Sequence, residues 1–293
     1  MRIETVAVLA PGDMGHAVAA VLKEGGLRVV TCLAGRSART RALAAAAGVE
    51  DLGDDATLVR AADVLLSILV PAQAEELARR IAVALQRTGT DLLYVDCNAI
   101  APETAQAVGR IVESAGARFV DAGIIGPPPM SGTAGTRFYA SGAAAGEFAQ
   151  LRDHGLDVRV IGERAGDASA VKMCYAALTK GTTAIMTQLL IAAERLGVSE
   201  PLRAELEASQ PEMLRRMRRS VPAMVPKAHR WVGEMEEIAR TFEAAGLTPK
   251  TFEGAAALYA FVGGTPLGKL SPEEWRQRRE GLQSVIDQLS PAQ

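Results

Sequence analysis

Residues 5–22 read TVAVLAPGDMGHAVAAVL, and this stretch decides the fold. Thr5–Leu9 (TVAVL) is apolar and β-branched, and Ala10-Pro11-Gly12-Asp13-Met14-Gly15 is a turn of small residues. His16–Leu22 then has a helical pattern that Gly25-Gly26 stops. A strand that is apolar throughout, feeding a helix through a short turn, predicts a parallel sheet covered on both faces.

The alternation continues. Arg28–Leu33 (RVVTCL), Asp63–Val70 (DVLLSILV), Leu92–Asp96 (LLYVD) and Arg118–Asp121 (RFVD) read as strands, as do Arg137–Ala140 and Asp157–Ile161. Helices are expected over Arg41–Ala47, 72–86 and 102–115. Short connections between such elements favour right-handed crossovers and a doubly wound domain. From about Gly166 the texture changes. Ala168–Leu196 is one long helical stretch without proline, and further helices are expected at about 200–219, 229–245, 251–262 and 272–289. Pro201, Pro211, Pro222, Pro249 and Pro272 fall at their starts or joints, where proline is tolerated. The expected architecture is an α/β Rossmann-like doubly wound N-terminal domain over residues 1–165, followed by an all-α C-terminal domain over 166–293.

Composition narrows the function. Of 293 residues, 48% are hydrophobic and 23% charged, which suits a soluble globular protein with a sizeable core. Lysine plus arginine total 32 against 34 acidic residues, a net charge of −2, so no strongly basic face for nucleic acid is expected. No apolar run approaches the ~20 residues that cross a bilayer. Residues 1–10 show no basic n-region, long apolar h-region or cleavage site. Three cysteines, Cys32, Cys97 and Cys174, are odd in number and lack paired spacing, which argues against a disulfide framework or a metal site. These features are those of a reduced, cytoplasmic protein that acts on small molecules.

Strand, glycine turn and helix together form a binding device for a dinucleotide pyrophosphate. Small residues let the backbone approach the phosphates, and the helix start turns N–H groups and its positive end toward them. Gly12, Asp13, Met14 and Gly15 are the candidate cofactor residues, although Ala10 occupies the first glycine position of G-x-G-x-x-G. The second strand selects the nucleotide. NAD enzymes usually place an acid about 20 residues after the fingerprint. Here the segment is Leu33-Ala34-Gly35-Arg36-Ser37-Ala38-Arg39-Thr40-Arg41, with no carboxylate. Arg36 can stack on adenine and fork onto a 2′-phosphate, with Ser37 and Arg39 or Thr40 adding hydrogen bonds. NADP is therefore the expected cofactor, and a solvated basic loop is the alternative.

These segments resemble the 3-hydroxyisobutyrate / 6-phosphogluconate dehydrogenase superfamily, the β-hydroxyacid dehydrogenases, which also includes imine reductases. The G-x-G-x-M-G turn is matched by Ala10–Gly15, and an N-R-T step by Gly35-Arg36-Ser37. The family's strand ending in V-P is similar to Leu69-Val70-Pro71, and its D-x-S/N-x-x-x-P loop to Asp96–Pro102. Gly166–Lys172 (GDASAVK) looks like the segment that opens the interdomain helix. Two departures stand out. The substrate loop D-A-P-V-S-G-G aligns with Asp121–Pro127, so its serine is Ile125, followed by Gly126. The K-x-x-N-N motif becomes Lys172-Met173-Cys174-Tyr175-Ala176, so its first asparagine is Tyr175. Both changes argue against a simple small 3-hydroxy acid. Lys172–Gly181 and His229–Ala239 look like a bacterial branch with a helical C-terminal domain of unknown function.

The resemblance implies Lys172 as acid/base, with hydride passing between nicotinamide and a carbonyl or imine carbon. On a regular helix Tyr175 and Thr179, three and seven residues on, share the face of Lys172. Tyr175 could join the proton relay, and Lys180 is a second-tier candidate. Leu69, Val70, Pro71 and Asn98 are further cofactor candidates. Asn98 could position the nicotinamide amide, or instead cap the helix that starts near Pro102. Cys97 reads as a small buried hydrophobe. Ile125, Gly126, Thr179 and Glu234 are the candidate substrate contacts, with His229 beside them in the C-terminal half. Arg215-Arg216-Met217-Arg218-Arg219 could meet an acidic substrate or form a solvated helix face. The expected protein is an NADP-dependent oxidoreductase of a small hydroxy acid, a homodimer by resemblance. Imine reduction and a non-catalytic NADPH sensor are the alternatives.

Overall fold

The computed structural model describes residues 2–130, 132 and 135–290. Among these residues eight strands form one sheet: β1 (Thr5–Leu9), β2 (Arg28–Thr31), β3 (Glu50–Asp51), β4 (Val64–Ser67), β5 (Leu93–Asp96), β6 (Arg118–Ile125), β7 (Arg137–Ser141) and β8 (Asp157–Gly162). Their order is β3-β2-β1-β4-β5-β6-β7-β8. All neighbours run parallel except β6 and β7, which pair antiparallel from Asp121↔Ser141 to Ile125↔Arg137. The expected all-parallel sheet is corrected at this junction. The link from Ile125 to Arg137 holds no helix among its described residues, and a parallel return needs a crossover of a dozen or more residues.

Six helices accompany the sheet: α1 (Gly15–Glu24), α2 (Ala38–Ala46), α3 (Asp55–Ala61), α4 (Ala74–Thr88), α5 (Pro102–Glu113) and the short α6 (Ala145–Phe148). Side-chain alternation along each strand builds two cores. Val6, Val8, Leu66, Val95 and Val120 pack on one face of the sheet. Ala7, Leu9, Leu65, Tyr94 and Phe119 pack on the other. Burial on both faces is why these strands read as continuous apolar runs.

The remaining helices are α7 (Asp167–Ala176), α8 (Thr182–Arg195), α9 (Ser199–Ser209), α10 (Pro211–Met224), α11 (Ala228–Ala244), α12 (Lys250–Gly264), α13 (Pro272–Arg278) and α14 (Leu282–Leu289). Three expectations change here. The stretch expected as one α-helix over 168–196 contains a π-helical turn, Ala177–Gly181, between α7 and α8. The helix expected over 200–219 breaks at Gln210 (φ −135°, ψ 49°), where the ring of Pro211 disfavours the α conformation of the residue before it. The helix expected over 272–289 stops at Arg279, whose φ of 50° is left-handed.

The chain divides into two compact units, one ending at Met173 and the other beginning at Cys174. The second unit is built on its own core. The rings of Phe242 and Phe252 lie 4.5 Å apart between α11 and α12, and Met235, Ile238, Met217 and Val221 are buried. Among the described residues no helix is long and apolar enough to cross a membrane.

Candidate active site

In the first unit, β1, β2, β4, β5 and β6 run parallel, so their C-terminal ends share one edge of the sheet. The chain leaves β1 toward β2 on one side and returns to β4 on the other. Ligands of open α/β sheets bind at such a switch point. The β1–α1 turn opens there. A Cβ built on Gly15 would lie 2.1 Å from the Ala10 carbonyl oxygen, so only glycine lets the helix start this close to the strand. A Cβ built on Gly12 meets no protein atom within 4 Å, so the turn is open on that side. Helix α1 has Met14 at its N-cap and no acid in its first turn, which leaves its positive end unopposed. Asp13 pairs with Arg39 at 2.6 Å, which neutralises the one carboxylate in the turn. His16, which sequence reasoning passed over, donates from Nδ1 to the Gly12 carbonyl at 2.7 Å and braces the turn.

The loop after β2 sorts its arginines into different tasks. Arg39 holds Asp13, and Arg41 donates to the carbonyls of Leu33 and Arg36. The Arg36 guanidinium makes no hydrogen bond or ion pair with the described residues. Ser37 is the N-cap of α2, its hydroxyl accepting from the Thr40 N–H at 3.2 Å.

At the ends of β4 and β5 a polar knot fixes the backbone. The buried Asn98 donates from Nδ2 to Ser67 at 2.8 Å and to Asp96 at 2.9 Å, and its Oδ1 accepts from the Leu69 N–H. Asn98 is only 2% exposed, so its amide acts on Leu69-Val70-Pro71 through the backbone. The capping reading is corrected. The N-cap of α5 is Ala101, without a side-chain bond, because the Asn98 amide is spent on its own strand ends. Ile68 ties the same segment to β1, accepting from Ala10 N–H and donating to the Leu9 carbonyl. Burial lifts the Asp96 carboxyl to about 7 against the opposing hydrogen bonds from Asn98. Cys97 is buried, as expected for a small hydrophobe.

The segment aligned with a substrate loop lies largely in strand β6. Ile125 ends that strand with its side chain buried. Gly126 turns the chain at φ +130°, where a Cβ would lie 2.1 Å from the Gly135 carbonyl oxygen. The amine of Lys172, on α7, donates to the carbonyl of Ile124. Lys172 therefore meets the end of β6, on the same sheet edge as the β1 turn.

In the second unit Tyr175 is exposed. Thr179 sits in the π-helical turn and donates to the Tyr175 carbonyl at 3.1 Å. The shared face expected for Lys172, Tyr175 and Thr179 assumed an uninterrupted α period. Lys172 and Tyr175 both lie within the regular helix α7 and keep their three-residue spacing, while Thr179 falls in the wide turn, where its hydroxyl bonds its own helix. Lys180 pairs with Glu234 and stands 5.1 Å from the centre of the Trp231 ring. Tyr259 donates to the Lys180 carbonyl at 2.5 Å. Glu234, expected as a substrate contact, thus neutralises a cation within its own unit. Burial and Arg230 lower the His229 pKa. Arg215 and Arg218 pair with Glu212 and Glu207 on exposed helix surface, which matches the solvated reading.

Residues 5–153 match the family described as the NAD binding domain of 6-phosphogluconate dehydrogenase. The chain belongs to that family. Residues 193–262 also match a domain of unknown function, DUF1932. Among solved structures, the conserved protein MTH1747 of unknown function is 30% identical, with a TM-score of 0.65, covering 91% of this chain and all of that one; it is described as structurally similar to 3-hydroxyacid dehydrogenases. A Mycobacterium tuberculosis 3-hydroxyisobutyrate dehydrogenase shares the fold at 20% identity and a TM-score of 0.69, over 95% of this chain and all of that one. A Streptomyces aurantiacus imine reductase shares it at 20% identity and a TM-score of 0.56, over 94% of this chain and all of that one. Family membership makes this chain one of the NAD(P)-dependent oxidoreductases.

Proposed function

We propose that the protein is an NADP-dependent oxidoreductase of the β-hydroxyacid dehydrogenase type, with Lys172 as the acid/base. The observation that carries this reading is the placement of the Lys172 amine against the Ile124 carbonyl, on the sheet edge where the Gly12 turn opens. The residues fit the cofactor. Gly12 leaves room for a close phosphate, and α1 presents an uncapped positive end. Arg36 offers an uncommitted guanidinium to a 2′-phosphate in a loop that lacks a carboxylate. Leu69, Val70 and Pro71, fixed through Asn98, supply a backbone edge.

The bound cofactor supplies or takes the hydride. The work of Lys172 is the proton: its ammonium gives one to the substrate heteroatom in reduction, and its amine accepts one in oxidation. The Ile124 carbonyl accepts a hydrogen bond from the amine and so holds it at a fixed position before substrate arrives. Tyr175, three residues on, adds an exposed phenol for hydrogen bonding. Residues up to 165 form the cofactor domain, the helical remainder serves substrate and dimer formation, and the working form is a cytoplasmic homodimer.

Reduction of an imine is the second reading. It is favoured by one specific feature, the replacement of the expected serine and asparagine by Ile125 and Tyr175. The test is a fluorescence titration with NADPH and NADH, followed by turnover with panels of hydroxy acids and cyclic imines. Tight NADPH binding with hydroxy-acid turnover supports the first reading, and NADPH consumption with imines alone supports the second. NADPH binding without turnover in either panel indicates a sensor. Binding of neither nucleotide overturns the proposal.

A further inference from the structure

We propose that Asp121 is the positioning residue for Lys172, acting through the start of helix α7; this rests on Lys172 being the acid/base proposed above. Asp121 lies on β6 and is buried, with four donors converging on its carboxylate. Oδ2 accepts from the Gly166 N–H at 2.9 Å, the Ser169 N–H at 2.9 Å and the Ser141 hydroxyl at 3.1 Å, and Oδ1 accepts from the Ser169 hydroxyl at 2.6 Å. Ser141 is itself oriented, because its oxygen accepts from the Ala168 N–H at 3.0 Å and its proton is left to point at Asp121. Every contact is made to an acceptor, so the carboxylate form completes the set. Its negative charge faces the positive end of α7.

The geometry carries this clamp to the lysine. A Cβ built on Gly123 would lie 2.9 Å from the Ala168 carbonyl oxygen and 2.9 Å from the Lys172 Cβ, so strand and helix are in direct backbone contact between the clamp and the amine. One residue further along β6, the Ile124 carbonyl receives the Lys172 amine. Asp121 and Ile124 are three residues apart on a strand, about 10 Å. Ser169 and Lys172 are three apart on a helix, about 4.5 Å. The extended lysine side chain spans the difference. Fixing Ser169 against Asp121 therefore fixes where the amine falls along β6. The register of β6 with β7 sets Ser141 opposite Asp121, and the start of α7 brings Ser169 to the same carboxylate.

The test is residue-resolved acylation of lysines by an amine-reactive ester, read by mass spectrometry on the full-length chain. In Asp121→Asn and Ser169→Ala, acylation of Lys172 is expected to quicken at least threefold, with Lys23 and Lys250 unchanged. NADPH affinity is expected to stay within twofold of wild type. Unchanged Lys172 acylation in folded Asp121→Asn overturns the proposal, as does a uniform rise at all three lysines. Should Asp121→Asn fail to fold, Ser169→Ala decides by the same criterion, since it keeps the charge and removes one donor. The underlying functional reading fails by a different result: normal turnover in Lys172→Ala, or no NADPH binding by the wild type.

Discussion

The Lys172 amine donates its hydrogen bond to the Ile124 carbonyl, an acceptor that belongs to the last turn-ward residues of β6 and not to any side chain. Removing the amine tests its role. Lys172→Ala is expected to lower turnover at least a hundredfold, the scale of a lost general acid or base, while NADPH binds within twofold of wild type. Steady-state NADPH oxidation and a fluorescence titration check both halves, and undiminished turnover removes Lys172 from the chemistry.

Arg36 supplies the prediction on cofactor choice. Its guanidinium has no partner among the described residues, so Arg36→Ala leaves no broken contact behind. A charged hydrogen bond to phosphate contributes about 1.5–3 kcal/mol, hence NADPH affinity should fall roughly 10- to 150-fold. NADH, which lacks the 2′-phosphate and shares only the adenine, should lose much less. Equal losses for both nucleotides would defeat the assignment.

The two glycines of the β1 turn should separate stability from binding. Gly15→Ala drives a methyl group to 2.1 Å from the Ala10 carbonyl oxygen and is expected to cost several kcal/mol, about the scale of a severe core substitution. Gly12→Val meets no protein atom near its Cβ, so the melting temperature should hold while dinucleotide affinity drops at least tenfold. Thermal denaturation with and without NADPH distinguishes the two.

Asp96 should impose a pH dependence on stability. Its carboxyl is buried and raised to about 7, against about 3.9 in an unfolded chain. Between these values the unfolded state releases a proton that the folded state retains, so stability falls as pH rises from about 4 to 7 and levels off above. The difference of about 3 units corresponds to about 4 kcal/mol. Asp96→Asn keeps the shape and removes the titration. Its stability relative to wild type should therefore improve between pH 5 and pH 8, as followed by denaturant unfolding at each pH.

Much of the first unit was legible in the sequence. Val6, Val8, Ala7 and Leu9 are buried on opposite faces, and such doubly covered strands announce themselves as apolar runs. β3 escaped because Glu50 and Asp51 are two exposed polar residues that pair only at the sheet edge. Helix α3 escaped although Asp54 caps it by accepting from the Thr57 N–H, since its seven residues are too few for a clear period. The β1 turn and Arg36 could be named as candidates because the residues that would meet a phosphate are local in sequence. Ser37 and Asn98 were found as positions, but their hydrogen bonds run inward, and only the folded chain shows it. The Lys180–Glu234 pair joins residues 54 apart, a separation no spacing rule anticipates.

The π-helical turn at Ala177–Gly181 has a consequence for side-chain phase. It adds a residue to one turn of an otherwise regular helix, and each α-helical residue advances the azimuth by about 100°. Thr183, Ala184, Met186, Thr187 and Ile191 face inward in α8 with that extra residue counted. Deleting any one residue of the turn would rotate the whole of α8 by that angle and swing Ile185, now exposed, toward the interior. The turn thus works as a phase offset, and Tyr259 bonds the Lys180 carbonyl within it.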